Sequence, residues 1–468
     1  MRLASLLLVC AGAAYGAEPA MVTVDLDHPG ARLPADFLGI SYEKNALVEA
    51  HFTPANTTFL RLHRNLGAGT LRLGGNKVEL TRWLADAPAA LDKATGRATI
   101  GRATLDDLYG FLAAADWRCL HGLNLADGRP TDAAEEAAYA LRVGGRSVSA
   151  FEVGNEPNLY PNHGLRPAGY DTRSYVPEAR MAIKLIRARN PGLVLAGPAT
   201  ARREDRWFED AVAGLRGELA LGTSHLYALS GGSTNPRSAN FPSPENLLSP
   251  ATMAKDLAMV DTHLAAARAA GMRYRLAECN SVSNGGRAGV SDTFVSSLWA
   301  VDFLFGVAEH GADGINFHCN LKPGSYSPFS RGPSPGTYTV HPIYYAMLLF
   351  RDAGRGRLLN VKVTSGSNLG AHATLGDDGD VRVALVNKDL TREVVATIHA
   401  RGRRDITGLS WLLAPQADAK EGVSYAGAKV GPDGSWQPSS PAPDIPKFRD
   451  GQAVLTLPPG CAAVLTLK

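Results

Sequence analysis

Between about residues 37 and 350 the chain alternates short apolar runs with helix-patterned segments, and this alternation limits the fold more than any other feature. Eight runs read as strands: "FLGISYE", "TLRLGGN", "RCLHGLNLA", "SAFEVGNEP", "LVLAGPAT", "LGTSHLYAL", "RYRLAECNS" and "GINFHCN". Between them lie segments such as "TLDDLYGFLAAAD", "VPEARMAIKLIRARN" and "PATMAKDLAMVDTHLAAARAAG". The last two carry a proline near the first turn, and Gly271 closes the last. Eight strands alternating with helices over about 300 residues predict an α/β fold of the (β/α)8 TIM-barrel type, spanning residues 37–352. A doubly wound sheet usually needs a glycine-rich phosphate turn after its first strand, and "LGISYEKN" has none.

From 353 to 468 the pattern changes. "LNVKVTS", "LGAHATLG", "DVRVALVNKD", "EVVATIHA", "ITGLSWLLA", "VSYAGAKVG" and "AVLTLPPGCAAVLTLK" are short runs separated by Gly, Asp and Asn turns, which predicts a C-terminal all-β sandwich. The strand "MVTVDLD", within an N-terminal segment 18–36, could join that sheet. Residues 1–17 read as a signal peptide: Met1-Arg2 precede "LASLLLVCAGAA", too short to span a bilayer, and small residues follow. Val9 stands against a lipoprotein reading of Cys10. Even the longest later apolar stretch, "SSLWAVDFLFGVAEHG", is interrupted by Asp302, so no membrane span is expected. The expected location is secreted or periplasmic.

Net charge is +3 with no Lys/Arg block, which argues against a nucleic-acid partner. Cys119, Cys279, Cys319 and Cys461 show no CxxC spacing and read as buried thiols. His225 lies in no His-rich or HExxH pattern, so a hydrogen-bonding role is favoured over metal ligation, and neither metal nor cofactor is expected. "LRLGGN" lacks the spacing of a phosphate loop.

In a TIM barrel the active site lies at the C-terminal strand ends. Strand four ends in Asn155-Glu156, strand six in His225 and Tyr227, strand seven in Glu278, and strand eight in Asn316 and His318. Strand one offers Glu43 and strand two Asn76. Glu152 shares a strand face with Glu156 but stands about 13 Å away along the strand. Paired glycosidase carboxylates lie about 5–5.5 Å apart in retaining enzymes and about 6.5–9.5 Å apart in inverting ones. The partner of Glu156 must therefore come from another strand. Glu278 is the first candidate, followed by a polar, Gly-rich loop; Glu43 is second and Asp127 third, while Asp313 belongs to the opposite end of the barrel. Competing readings make Glu156 a helix cap and Glu278 the partner of a barrel arginine, Arg72 or Arg275.

"FEVGNEPN", "LRLGGN", "LAECNSVSNGG" and "HPIYYAMLLF" together resemble glycoside hydrolase family 79, the heparanases and β-glucuronidases, within a clan of retaining (β/α)8 glycosidases. The resemblance implies that Glu156 is the general acid/base and Glu278 the nucleophile, with Asn155 on the sugar 2-OH. It further implies binding roles for Glu43, Asn76 and Tyr227, and a uronate carboxylate met by the Gly285-Gly286 backbone. One departure is Phe317 after Asn316, where the animal enzymes carry a tyrosine; Tyr326 is the expected substitute for its hydroxyl. The implied substrate is a glucuronate-containing oligosaccharide, polysaccharide or glycoconjugate. Exo cleavage is expected, because loops 228–255 and 321–341 are long enough to close one end of the site. The alternatives are an endo-acting heparanase-like enzyme, for which Arg166, Arg173, Arg237, Lys322 and Arg331 are available, and a non-catalytic carbohydrate-binding barrel.

Overall fold

The structure, a computed structural model, describes residues 17–201, 205–403, 405–439 and 445–468. The leader expected over residues 1–17, with Cys10, falls almost wholly outside them, as does part of the Pro/Ser-rich stretch "GPDGSWQPSSPAPDIP", which reads as a surface loop of the sandwich. Eight parallel strands close into a barrel in chain order, with strand eight beside strand one. They are Leu38–Glu43, Gly69–Gly74, Trp117–Leu123, Val148–Val153, Leu195–Thr200, Leu221–Leu229, Arg273–Val282 and Ile315–Cys319. Each has the near-continuous burial of a sheet covered on both faces. No helix among the described residues is long and apolar enough to cross a membrane.

Helix starts follow capping chemistry. Pro250–Ala269 begins with proline at its first turn and a Ser249 cap. The helix expected to start near Pro177 instead runs Thr172–Arg189, because the Asp171 side chain accepts from the backbone N–H groups of Arg173 and Ser174. That cap starts the helix ahead of Pro177, which then lies inside it.

The C-terminal residues form two mainly antiparallel sheets. The four-stranded one runs Val361–Ser365, Glu18–Val24, Val394–Ala400, Gln452–Leu457. The N-terminal strand thus sits inside it, antiparallel to one neighbour and parallel to the other. Its alternation explains the placement: Ala20, Val22 and Val24 are buried while Met21 faces out. The six-stranded sheet is built around Val381–Asn387 and Cys461–Leu467. Inward residues of both sheets, among them Val22, Ile398, Val383 and Leu465, share one apolar cluster.

The helix Phe294–Glu309 joins barrel and sandwich. It is buried on every side from Phe294 to Ala308, which explains its nearly unbroken apolar sequence. The exception, Asp302, meets the C-terminal sheet: its Oδ1 lies 2.9 Å from His372 Nε2, and Lys388 Nζ donates to Oδ2. His372 Nδ1 is 2.8 Å from Glu309 Oε1. Burial opposes charge on Asp302 and His372. The Lys388 and His372 charges nevertheless hold Asp302 well below the usual carboxylate range, and Glu309 and Asp302 raise His372 to about 10.

Because the folded pKa of His372 is raised, its contribution to stability is complete below about pH 6.5 and is lost as pH climbs through about 10. In urea unfolding at pH 6, Asp302→Asn should cost about 3–5 kcal/mol by leaving Lys388 and His372 uncompensated. The stability gap between the native chain and His372→Gln should narrow steadily from pH 6.5 to 10; a gap independent of pH would contradict this charge assignment.

Candidate active site

Five of the barrel strands converge on one buried guanidinium. Arg72, on strand two, directs each of its N–H groups at a different acceptor. Nε donates to Glu152 at 2.6 Å, and one terminal nitrogen to Ser41 Oγ at 3.1 Å and Glu278 Oε2 at 2.7 Å. The other donates to Asn155 Oδ1 at 2.8 Å and His225 Nε2 at 3.1 Å. Since arginine only donates, His225 Nε2 must accept, so its ring proton sits on Nδ1. That Nδ1–H faces Glu156 Oε1 at 2.8 Å. One arginine therefore sets the geometry of both glutamates, directly for Glu278 and through His225 for Glu156.

The backbone aims the two carboxyls. Glu156 adopts φ 49° and ψ 51°, a left-handed conformation uncommon for a side-chain-bearing residue, just beyond Gly154 at φ 79°. Although it stands at the cap position of a short 3-10 turn, its side chain caps nothing and faces His225 instead. On strand seven, Ser224 pairs with Leu276 and His225 with Glu278, so Ala277 is an extra residue that turns Glu278 toward the site. The strand then continues past Glu278 to Val282.

Glu278 Oε1 accepts from Tyr227 at 2.7 Å, and His318 Nδ1 lies 3.7 Å from Oε2. Burial disfavours its charge, but the fields of His318, His225 and Arg72, with the Tyr227 hydroxyl, hold it well below the usual carboxylate range. Donor atoms of Glu156, His225 and Glu278 lie within 4.8 Å of one another. Such a trio is the one group here with the spacing to hold a cation among the described residues. Arg72 already brings positive charge to two of its members, which opposes a metal there. One oxygen of Glu156 lies within 4.8 Å of one oxygen of Glu278, an approach on the scale of the about 5–5.5 Å spacing of a retaining pair.

These groups open into a cavity of about 780 Å³, a size suited to a small-molecule site. Glu43, Asn76, Glu156, His225, Tyr227, Glu278, Gly285 and Tyr326, all expected at the site, line it. Asn155 stands just behind, with its Nδ2 3.3 Å from Asn76 Oδ1. Glu43 accepts the Lys77 backbone N–H, and burial raises its pKa. Asp127 accepts the Arg129 backbone N–H instead and is absent from the cavity wall.

Two expectations need correction. Asn316 is not a site residue: it lies a layer deeper, where Arg275 Nε donates to it at 2.7 Å and its Nδ2 donates to the Thr70 carbonyl at 2.8 Å. Strand eight instead delivers His318, two positions further along the same strand face, with Cys319 beside it on the wall. Gly286 does not line the wall either, because its N–H turns back to the Ser283 carbonyl; Gly285 does. Of the basic residues considered, Lys322 and Arg331 line the cavity, whereas Arg166 pairs with Glu178 and Arg173 with Asp171. Lys77 and Lys255 are further basic residues on the wall.

Sequence reasoning missed Glu79. This buried carboxylate accepts the Asn155 N–H and the Tyr160 hydroxyl on one oxygen, and the Leu125 and Ala126 N–H groups on the other. It ties the strand-three loop to the turn that carries Glu156. Its only sequence signal is an acid beside an apolar valine in "NKVEL", which many surface turns share.

No family model matches the chain. It is 27% identical over 304 residues to a β-glucuronidase of Aspergillus niger, covering 57% of this chain and 53% of that protein. It is also 27% identical over 273 residues to a Gallus gallus heparanase, covering 57% and 50%. The chain thus spans about half the length of the curated relatives it matches. Among solved structures, a 4-O-α-L-rhamnosyl-β-D-glucuronidase from Fusarium oxysporum superposes with a TM-score of 0.81 at 19% identity, covering 95% of this chain and all of that one. A family 51 arabinofuranosidase from Xanthomonas axonopodis superposes at 0.74 with 14% identity, covering 96% and 100%. The chain is a homologue of the family 79 β-glucuronidases and heparanases, built on a TIM-barrel glycoside hydrolase fold shared with family 51.

Proposed function

We propose that the chain is a secreted or periplasmic retaining β-glucuronidase that removes terminal glucuronate. The observation that carries this reading is the pair Glu156–Glu278, close enough for double displacement, with Arg72 bonded to Glu278 directly and to Glu156 only through His225. Glu278, ionised between Arg72 and Tyr227, is the nucleophile. Glu156 is the acid that protonates the leaving oxygen. His225 fixes the Glu156 carboxyl, and its Nδ1–H leaves the other carboxyl oxygen to carry the transferable proton.

Attack by Glu278 on the anomeric carbon breaks the bond to the aglycone and forms a glycosyl ester. Formation of that ester removes the negative charge on Glu278, so Glu156, now deprotonated, activates water for the second displacement. Asn155 Nδ2, oriented by the Arg72 bond to its oxygen, serves the 2-OH. The basic side chains on the wall favour an acidic sugar, and the Gly285 backbone suits close approach of its carboxylate. Exo action is supported by the segments 228–255 and 321–341, which supply Ser230, Asn240, Lys255, Lys322 and Arg331 to the cavity wall.

Hydrolysis of an aryl β-glucuronide tests the activity, and absence of turnover on any β-glucuronide or heparan substrate would leave the binding-protein reading. Comparing a glucuronate-capped oligosaccharide with a chain holding only internal glucuronate separates exo from endo cleavage. Glu156→Gln and Glu278→Gln should each lower kcat on an oligosaccharide by about 10²-fold or more, and NMR should find the β anomer first; an α first product rules out retention. Tyr227→Phe removes a hydrogen bond that favours ionised Glu278. The acid limb of kcat/KM should therefore move to higher pH, with kcat down about tenfold.

A further inference from the structure

A second cavity, of about 690 Å³, adjoins the first. Only two residues line both, Glu49 and Arg331, and they form an ion pair. Glu49 follows strand one, and Arg331 lies in the hairpin Phe329–Arg331 and Tyr338–Val340 beyond strand eight. Strands one and eight are neighbours, across the barrel from strand four, which carries Glu156. A pyranose bonded for cleavage turns its anomeric oxygen toward Glu156. Position 4 is diametrically opposite the anomeric carbon in the ring, so O4 points toward Glu49 and Arg331.

We infer that the Glu49–Arg331 pair is a gate between the two cavities, which excludes substituents at O4 of the bound sugar and so restricts cleavage to chain ends. This inference rests on the glucuronidase reading of the first cavity. Behind the gate a chain of hydrogen bonds holds the acid in place. Asn56 Nδ2 donates to the Tyr338 hydroxyl at 2.7 Å, and that hydroxyl is hydrogen-bonded to His51 Nδ1 at 2.7 Å. His51 Nε2 in turn meets Glu49 Oε2 at 3.1 Å. Two of these bonds, together with the ion pair itself, tie the strand-one segment to the hairpin. The His51 bond and the Arg331 charge keep the Glu49 carboxyl below its ordinary value, so it is ionised when neutral-pH substrates bind.

The pair itself is half-exposed, at 43% for Arg331 and 37% for Glu49, so its Coulomb attraction is screened and side-chain truncation removes it without leaving a buried charge. Opening it would join the two cavities into one cleft that continues past O4. The second cavity then offers room and polar groups, Asn56, His51 and the threonines 53, 57 and 58, for a neutral sugar linked to O4.

The test compares an aryl β-glucuronide with the same compound carrying a neutral hexose at O4, using the native chain, Arg331→Ala and Glu49→Ala. We expect the native chain to prefer the unsubstituted compound by at least a hundredfold in kcat/KM, and each variant to reduce that preference tenfold or more. A native chain that accepts both compounds equally, or a preference unmoved in both variants, overturns the gate while leaving the glucuronidase reading intact. No turnover of the simple aryl glucuronide by the native chain overturns that reading. Calorimetric binding of glucuronate and of 4-O-hexosyl glucuronate then decides the gate separately: tighter binding of the disaccharide in the variants alone supports it, and unchanged or absent binding sinks it.

Discussion

A guanidinium with no access to water and five acceptors around it is the interaction on which the site depends. Buried alone, Arg72 would be strongly unfavourable; between Glu152 and Glu278 its charge is matched on two sides. Glu152 lies wholly inside the barrel and serves as the permanent counter-ion. Glu278 is the conditional one, since in the double displacement proposed above its charge disappears when it forms an ester. The fork shape matters as much as the charge. A lysine could supply a cation, but not three differently directed nitrogens, one for Glu152, one for Glu278 and one shared by Asn155 and His225.

This hub shows how the layers of the barrel are used. Lower down, small and aliphatic side chains such as Ala150, Ala196 and Ala277 fill the interior. Above them lie Glu152 and Arg72, and above those the two glutamates. On the side of strands seven, eight and one the deeper layer is polar as well, where Arg275 and Asn316 make directed hydrogen bonds below the site. The strain in the Glu156 backbone is borne where Glu79 fastens the flanking turn with four bonds.

Much of this was legible because barrel strands announce themselves by apolar runs that stop at polar residues. All eight strands lie where the runs lie, and strand geometry alone removed Glu152 as the partner of Glu156. Depth was not legible. Asn316 and His318 share a face, and which of them reaches the cavity depends on the register of strand eight against strand one, a property of two distant segments. The role of Arg72 was hidden for a different reason. A salt bridge to Glu278 looks, in a sequence, like an alternative to catalysis, whereas in the barrel the same bond favours the charged form of the proposed nucleophile. Residues that act from neighbouring loops, such as Glu79 and Glu49, carry no periodic signal at all.

The N-terminal strand has a bearing on how the chain comes to be made. Val22 needs Val363 on one side and Ile398 on the other, and both leave the ribosome long after the barrel segments. Until then Glu18–Val24 has one apolar face and two unsatisfied edges. The barrel can close during synthesis, but the sandwich waits for its final strands, so the first strand to be translated is among the last to find its place. A fusion at the amino end is therefore carried into the last step of folding, while a truncation near the carboxyl end strands a segment made hundreds of residues earlier.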